Sequence, residues 1–170
     1  MTSRSPNPLA LAAAAACLIA VTAGHGSSAE PPRVAFPEGY RSWFHVKSAI
    51  VNEGNKAFAR FGGIHHIYAN AQAEKGLRAG TFPDGAVLVF DVLELKTNNE
   101  DKTGTEGARR MIDVMAKDAV RFKSTGGWGF EEFQGDGKTE GSLSDAAATA
   151  CSTCHATRKD HDSVFSSIRP

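Results

Sequence analysis

Alternating apolar residues predict four β-strands in this chain. The strongest pattern spans 86–95, where apolar side chains occupy both sets of alternating positions, as is typical of a central strand covered on both faces. Turn-forming residues precede it in the Phe-Pro-Asp-Gly sequence at 82–85. Weaker patterns predict three further strands, at 43–51, 64–68 and 128–133.

Helical spacing of apolar residues predicts a helix over 108–122. The residues that share its apolar face are Ala108, Ile112, Met115, Ala119 and Phe122. A shorter helix is predicted over 69–80, and a third begins at Ser144 or Asp145. The polar segment 96–107 is predicted to be a loop.

The composition is that of a single globular domain. Of the 170 residues, 41% are hydrophobic and 22% are charged, and the chain contains neither an internal repeat nor a linker. The formal net charge is zero, so no basic face indicates a nucleic-acid partner. Together the elements predict an α+β fold, in which a mainly antiparallel β-sheet packs with a few helices.

The N-terminal residues have the organisation of an export signal. Arg4 supplies a positive charge, an apolar run follows at 9–21, and small residues suited to a signal peptidase end at Ala29. We therefore expect a signal peptide over 1–29, a mature domain over 30–170 and a periplasmic location. After cleavage no membrane span is expected.

A retained membrane anchor is the alternative interpretation of this run, although the run is short for a bilayer span. Cys17 lies inside the apolar run, which continues beyond it, so we assign Cys17 to the signal and not to a lipid attachment site. The mature chain then retains only Cys151 and Cys154.

The sequence at 151–155 reads Cys-Ser-Thr-Cys-His, which is the C-x-x-C-H pattern of covalent haem attachment. On a helix, residues three and four apart share a face, so two thiols and one imidazole can meet the same porphyrin. The motif predicts one haem c near the C-terminus, with Cys151 and Cys154 as its attachment points. His155 is predicted to be the axial ligand of the iron.

Two other interpretations of the cysteine pair are weaker. A redox disulfide of the C-x-x-C type needs no following histidine and is expected to open a helix after a strand. A structural zinc site needs a second pair of ligands, and His161 alone does not supply it.

The late position of the motif bears on the sixth iron ligand. Small electron-transfer cytochromes carry a methionine far downstream of the motif, whereas no methionine follows Cys154 here. We therefore expect a five-coordinate iron with an open distal position. Met115, which precedes the motif, is the alternative sixth ligand.

In order and spacing, these pieces resemble the cytochrome P-460 family, and most closely its gas-binding branch, the cytochromes c′-beta. The resemblance rests on segments 36–43, 67–68, 80–85, 117–122 and 128–130, on the haem motif and on 162–165. It implies a homodimer, an antiparallel sheet packed with helices, and His155 as the proximal ligand.

The resemblance also implies different distal residues in the two branches of the family. In the enzymatic branch, which oxidises hydroxylamine, a lysine on the strand after the Asp-Gly turn bonds to the porphyrin and a pocket carboxylate takes a proton. The lysine position corresponds to Phe90 in this chain, and the carboxylate position to Asp113. The gas-binding branch is capped by phenylalanines, a role that fits Phe90 and, as a second cap, Phe61.

An ordinary structural role is also open for each of these candidates. The alternative for Phe90 is a core phenylalanine unrelated to haem, and the alternative for Phe61 is a hydrophobic residue at the edge of a loop. Asp113 lies four residues from both Arg109 and Lys117, as in a solvated charge ladder on a helix, which is the favoured interpretation of this position.

Three further side chains are candidates for the haem pocket. His65 and His66 point to opposite faces of a strand, so at most one of them can face the haem, with His65 as the candidate distal donor. Arg121 is a candidate partner for the haem propionates, with solvent exposure as the alternative.

The leading hypothesis is a periplasmic haem protein that binds nitric oxide or carbon monoxide. An oxidoreductase acting on hydroxylamine or nitric oxide, with Asp113 as its base, is the second hypothesis. A simple electron carrier with a redox partner protein is the third.

Overall fold

The computed structural model describes residues 1–2 and 33–168. The remainder of the predicted signal peptide, from residue 3 onward, therefore lies outside the described residues. Among the helices that are described, none is both long and apolar enough to cross a membrane.

Five antiparallel strands form one sheet in which neighbours in sequence are neighbours in space. The strands are β1 (Phe44–Val51), β2 (Gly63–Ala69), β3 (Val87–Asn98), β4 (Thr103–Lys117) and β5 (Trp128–Gln134). This meander places β3 in the centre and β1 and β5 at the edges.

Three α-helices accompany the sheet: α1 (Phe58–Phe61), α2 (Ala71–Ala79) and α3 (Asp145–His155). Short 3₁₀ turns cover Tyr40–Ser42, Lys123–Thr125 and Ala156–His161. The Ser144 hydroxyl caps α3 by accepting a hydrogen bond from the Ala147 amide, as the sequence predicted. The predicted α+β fold class is confirmed.

The predicted helix over 108–122 is wrong, because this segment belongs mostly to β4. This strand lies between two others and carries apolar residues on both faces. Apolar residues are therefore frequent enough along it to match the spacing of a helix as well. The predicted loop over 96–107 is wrong as well. It forms the outer part of a long β3–β4 hairpin, in which Asn98 pairs with Thr103.

A bulge in β1 changes which of its side chains share a face. The pairing shifts between His45 and Lys47, so Lys47 comes to lie opposite Ile67 and on the same face as Phe44. The alternation predicted for this strand therefore holds only up to the bulge.

The sheet separates two apolar cores. On one face, Phe82, Leu88, Met115, Trp128 and Phe130 pack with α3. On the other face, Val89, Ile112 and Phe133 pack beneath the N-terminal segment that contains Tyr40. Neighbouring residues of β3 and β4 thus enter different cores, as the period of two requires.

A buried carboxylate anchors the N-terminal segment. The Asp91 side chain is fully buried and accepts hydrogen bonds from the Tyr40 hydroxyl at 2.7 Å, from Arg41 Nη2 at 3.0 Å and from Arg109 Nε at 2.9 Å. Burial, together with the hydrogen bond to Asp91, raises the pKa of Tyr40 to about 12, so the hydroxyl stays protonated and donates. This cluster lies on the face opposite α3.

We predict that Asp91→Ala lowers the free energy of unfolding by about 3–5 kcal/mol, because it leaves two arginines and a tyrosine without their buried partner. Urea denaturation of the mature chain measures the change. The matched control is Asp160→Ala, which removes an exposed aspartate 3.6 Å from Arg158 and should cost less than about 1 kcal/mol. Equal losses in the two variants would contradict the anchoring role.

Candidate functional site

A cavity of about 450 Å³ lies between α3, the C-terminal segment after it and one face of the sheet. The residues around it are mostly apolar, and two acidic residues of the sheet, Asp113 on β4 and Glu131 on β5, are also among them. Its principal side chains are Phe61, Leu88, Phe90, Asp113, Met115, Phe130, Cys151, Cys154, His155 and Phe165.

The last turns of α3 bring the three residues of the haem motif to this cavity. Cys151, Cys154 and His155 all line it, and neither thiol forms a disulfide. Cys151 is partly buried against the core, and burial raises the pKa of its thiol, with the nearby charge of Asp113 adding to the effect. The helical spacing therefore places two free thiols and an imidazole at the same cavity.

The His155 ring is fixed on three sides. Its Nδ1 lies 2.8 Å from the Ser163 carbonyl oxygen, and its centroid lies 5.1 Å from the Phe130 ring and 5.0 Å from the Phe165 ring. Because a carbonyl oxygen only accepts, Nδ1 carries the proton and Nε2 keeps its lone pair. Burial lowers the pKa of His155 and so favours a neutral imidazole, although the hydrogen bond to Ser163 acts in the opposite direction.

These residues fit a covalently bound haem. A metal ligand needs a neutral imidazole with a free nitrogen and a partner for its other nitrogen, and His155 has both. Within 33–168, no group of three or more histidine, cysteine or acidic side chains is arranged to hold a metal ion. The zinc interpretation of the cysteine pair therefore has no second set of ligands in this part of the chain.

Two phenylalanines form the wall farther from His155. Phe90 lies on β3 and Phe61 ends α1, and their rings meet edge to face with centroids 5.5 Å apart at 89°. Phe90 stands two residues along β3 from Leu88, whose strand partner is Met115. The cavity thus has a His155 end and a Phe90 end.

Asp113 lies beside Phe90, because the two residues pair directly across β3 and β4. It also pairs with Glu132 on β5, and Arg60 Nη2 lies 3.4 Å from Asp113 Oδ1 and 2.5 Å from Glu132 Oε2. Burial and the Glu132 carboxylate raise the pKa of Asp113 to about 7, although Arg60 acts in the opposite direction.

The interpretation of Asp113 as part of a helical charge ladder is wrong. Because β4 is a strand, residues four apart do not touch. Lys117 instead donates to Asp162, while Arg109 contacts Asp91 on the other face. The partners that Asp113 does have, Arg60 and Glu132, were missed by sequence reasoning. Alternation along 128–133 could have found Glu132, which shares a face with Phe130.

The two adjacent histidines of β2 point to opposite faces. His65 lies on the cavity face, where its ring centroid is 4.4 Å from that of Phe90, and burial lowers its pKa. Its Nδ1 is buried without a hydrogen-bond partner among the described residues. His66 lies on the other face, with Nδ1 2.6 Å from Ser48 Oγ and Nε2 2.7 Å from Glu106 Oε1.

Two further candidates occupy different positions. Arg121 is exposed beside Phe122, with 5.0 Å from its guanidinium to the ring, and it is not among the residues that line the cavity. Met115 does line the cavity, but at the His155 end, since its strand partner Phe130 packs on the His155 ring.

Comparison with known proteins agrees with this arrangement. The comparison with curated proteins gave no match. A family model, described as Cytochrome P460, matches residues 37–166, which include every strand and the whole haem motif. The chain therefore belongs to the cytochrome P460 family of haem proteins.

Proposed function

We propose that this protein is a mono-haem c-type cytochrome that binds nitric oxide or carbon monoxide at a five-coordinate iron. In this proposal the signal peptide over 1–29 directs export to the periplasm, and 30–170 is the mature haem domain. A homodimer and a redox partner protein belong to the same proposal.

The proximal side of the site would be built by α3. Cys151 and Cys154 would hold the haem covalently, each thiol adding its S–H across one porphyrin vinyl group. His155 Nε2 would be the iron ligand, while Nδ1 donates to the Ser163 carbonyl. The bound haem supplies the iron centre at which a small gas is held.

The observation that carries the proposal is the closure of the opposite end by aromatic rings. Phe61 and Phe90 pack edge to face there, and no lysine is among the cavity-lining residues in the described part of the chain. Two phenyl rings offer no hydrogen bond to water or to an anion, so they disfavour polar ligands. Small uncharged diatomic gases are left as suitable ligands.

The electron-carrier alternative has less support. It requires a sixth ligand across the iron from His155, and Met115 lies at the His155 end of the cavity. No methionine follows the haem motif in the sequence.

A specific observation favours the oxidoreductase as the second candidate. Asp113 sits beside Phe90 with a pKa raised to about 7 by burial, and a general base works best when its pKa lies near the working pH. Arg60 and Glu132 hold this carboxyl in position. In this alternative Asp113 would accept a proton from hydroxylamine, and the haem would pass the substrate's electrons to the redox partner protein.

We predict that the haem-loaded protein has a high-spin c-type absorption spectrum that shifts when carbon monoxide is added to the reduced form. An open iron site is the physical reason. A strongly red-shifted Soret band after reduction, with porphyrin on a tryptic lysine peptide, would favour the oxidoreductase. A low-spin reduced spectrum unchanged by carbon monoxide would favour the electron carrier.

We predict that Phe90→Ala admits water to the distal side. The ferric spectrum should move from five-coordinate toward six-coordinate, and carbon monoxide should bind faster to the reduced protein in flash photolysis. Phe36→Ala removes a ring from the core on the opposite face of the sheet and serves as the matched control. An identical change in both variants would mean that Phe90 acts only through general packing.

We predict that, if the protein oxidises hydroxylamine, turnover rises with pH through about 7. Below that value the Asp113 carboxyl is protonated and cannot accept a proton, whereas above it the carboxylate can. Asp113→Asn should lower turnover by about 10²-fold or more and remove this rise. The measurement is dye-coupled turnover from pH 5 to 9. An unchanged profile in Asp113→Asn would exclude the carboxyl as the base.

A further inference from the structure

The acceptor of the His155 hydrogen bond lies in an unusual stretch of backbone. Asp162 and Ser163 both adopt the left-handed conformation, with φ of 49° and 66°. Residues other than glycine avoid this region, and they remain in it only where their surroundings hold them there. We therefore expect contacts from other parts of the fold to hold Asp162 and Ser163 in this conformation, in which the Ser163 carbonyl meets His155.

Asp162 is held by three separate parts of the fold. Its Oδ1 accepts from Lys117 Nζ at 2.7 Å, and its Oδ2 accepts from the Phe82 amide at 2.9 Å. Its backbone carbonyl accepts from Trp128 Nε1 at 2.8 Å. The end of β4, the start of β5 and the turn after α2 thus converge on the residue that precedes Ser163.

Lys117 is built into this contact and is not a free surface charge. Its side chain is 10% exposed, and Nζ lies 4.9 Å from the Trp128 ring centroid and 3.1 Å from the Gly126 carbonyl oxygen. A lysine enclosed in this way has few alternative orientations, so its ammonium group fixes Asp162.

We propose that Lys117 and Asp162 are positioning residues that hold the Ser163 carbonyl against His155 Nδ1 and thereby set the strength of the axial bond to the iron. The proposal rests on the proposed function, in which His155 ligates the haem iron. It adds a control of that bond from the C-terminal end of β4, where Lys117 is not among the residues that line the cavity.

The physical consequence follows from the hydrogen bond. Donation from Nδ1 to a carbonyl increases the electron density on Nε2 and makes the imidazole a stronger ligand. A stronger axial ligand favours ferric iron and therefore lowers the reduction potential. Loosening Asp162 weakens the hydrogen bond, so the iron–histidine bond weakens and the potential rises.

The test uses the haem-loaded mature protein and two variants, Asp162→Asn and Lys117→Met. Lys117→Met keeps an unbranched side chain against Trp128 but removes the ammonium group. The measurements are the iron–histidine stretching band in the resonance Raman spectrum of the reduced protein and the midpoint potential. We expect the band at lower frequency and the potential more positive in both variants.

Three comparisons separate positioning from general destabilisation. Asp160→Ala changes an exposed residue of the 3₁₀ turn that precedes Asp162, and it should leave the band and the potential unchanged. Lys117→Arg, which keeps the positive charge, should stay close to the parent protein. The double variant should shift no further than either single variant, because both act through one contact.

The inference is overturned if Lys117→Met carries haem with an unchanged band and potential, or if the two single shifts simply add. If Asp162→Asn fails to bind haem, Lys117→Met decides the question, since Lys117 lies on β4 and outside the motif. An iron–histidine band that is absent from the reduced parent protein would instead refute a five-coordinate iron with histidine as its axial ligand, and with it the proposed function.

Discussion

The register in which β3 pairs with β4 determines which of their side chains face the cavity. Successive residues of a strand point to opposite faces, so Phe90 enters the cavity while its neighbour Asp91 enters the opposite core. The same pairing sets Asp113 beside Phe90 and Ile112 opposite Asp91. A shift of one residue would direct Asp91 into the cavity and Phe90 away from it, so the register is a condition of the site's chemistry.

Two ion clusters on opposite faces reinforce that register. Asp91 is enclosed by Tyr40, Arg41 and Arg109, while Asp113 shares Arg60 with Glu132. Each cluster brings its charges together from different elements, and an unpaired charge in either place would be costly. Asp91 is fully buried and accepts hydrogen bonds from three different side chains. By contrast, Asp113 and Glu132 share one arginine, Arg60. The pKa of Asp113 is raised mainly by burial, and the neighbouring Glu132 carboxylate adds to this effect.

Sequence reasoning predicted much of the fold, including four of the five strands, α2 and the capped start of α3. It failed over 96–122, where β4 is rich in apolar residues on both faces and so imitates a helical period. That error also hid the surroundings of Asp113, whose partners come from α1 and β5 and depend on the register. The grouping of Cys151, Cys154 and His155 could be predicted because their spacing is local to the turns of one helix. Phe61, Phe90 and Asp113, by contrast, meet only through tertiary structure.

The two ends of the cavity differ in how they are held. At the Phe90 end the side chains project from paired strands, so their positions follow from the sheet itself. At the other end His155 stands on the last turn of α3, next to a chain reversal, and a single helix terminus gives little support to an imidazole. The left-handed residues Asp162 and Ser163 turn the chain back so that one carbonyl meets Nδ1. Because Asp162 accepts a hydrogen bond from Lys117 on β4, the sheet also supports the backbone that contacts His155, and both ends of the cavity are connected to the same sheet.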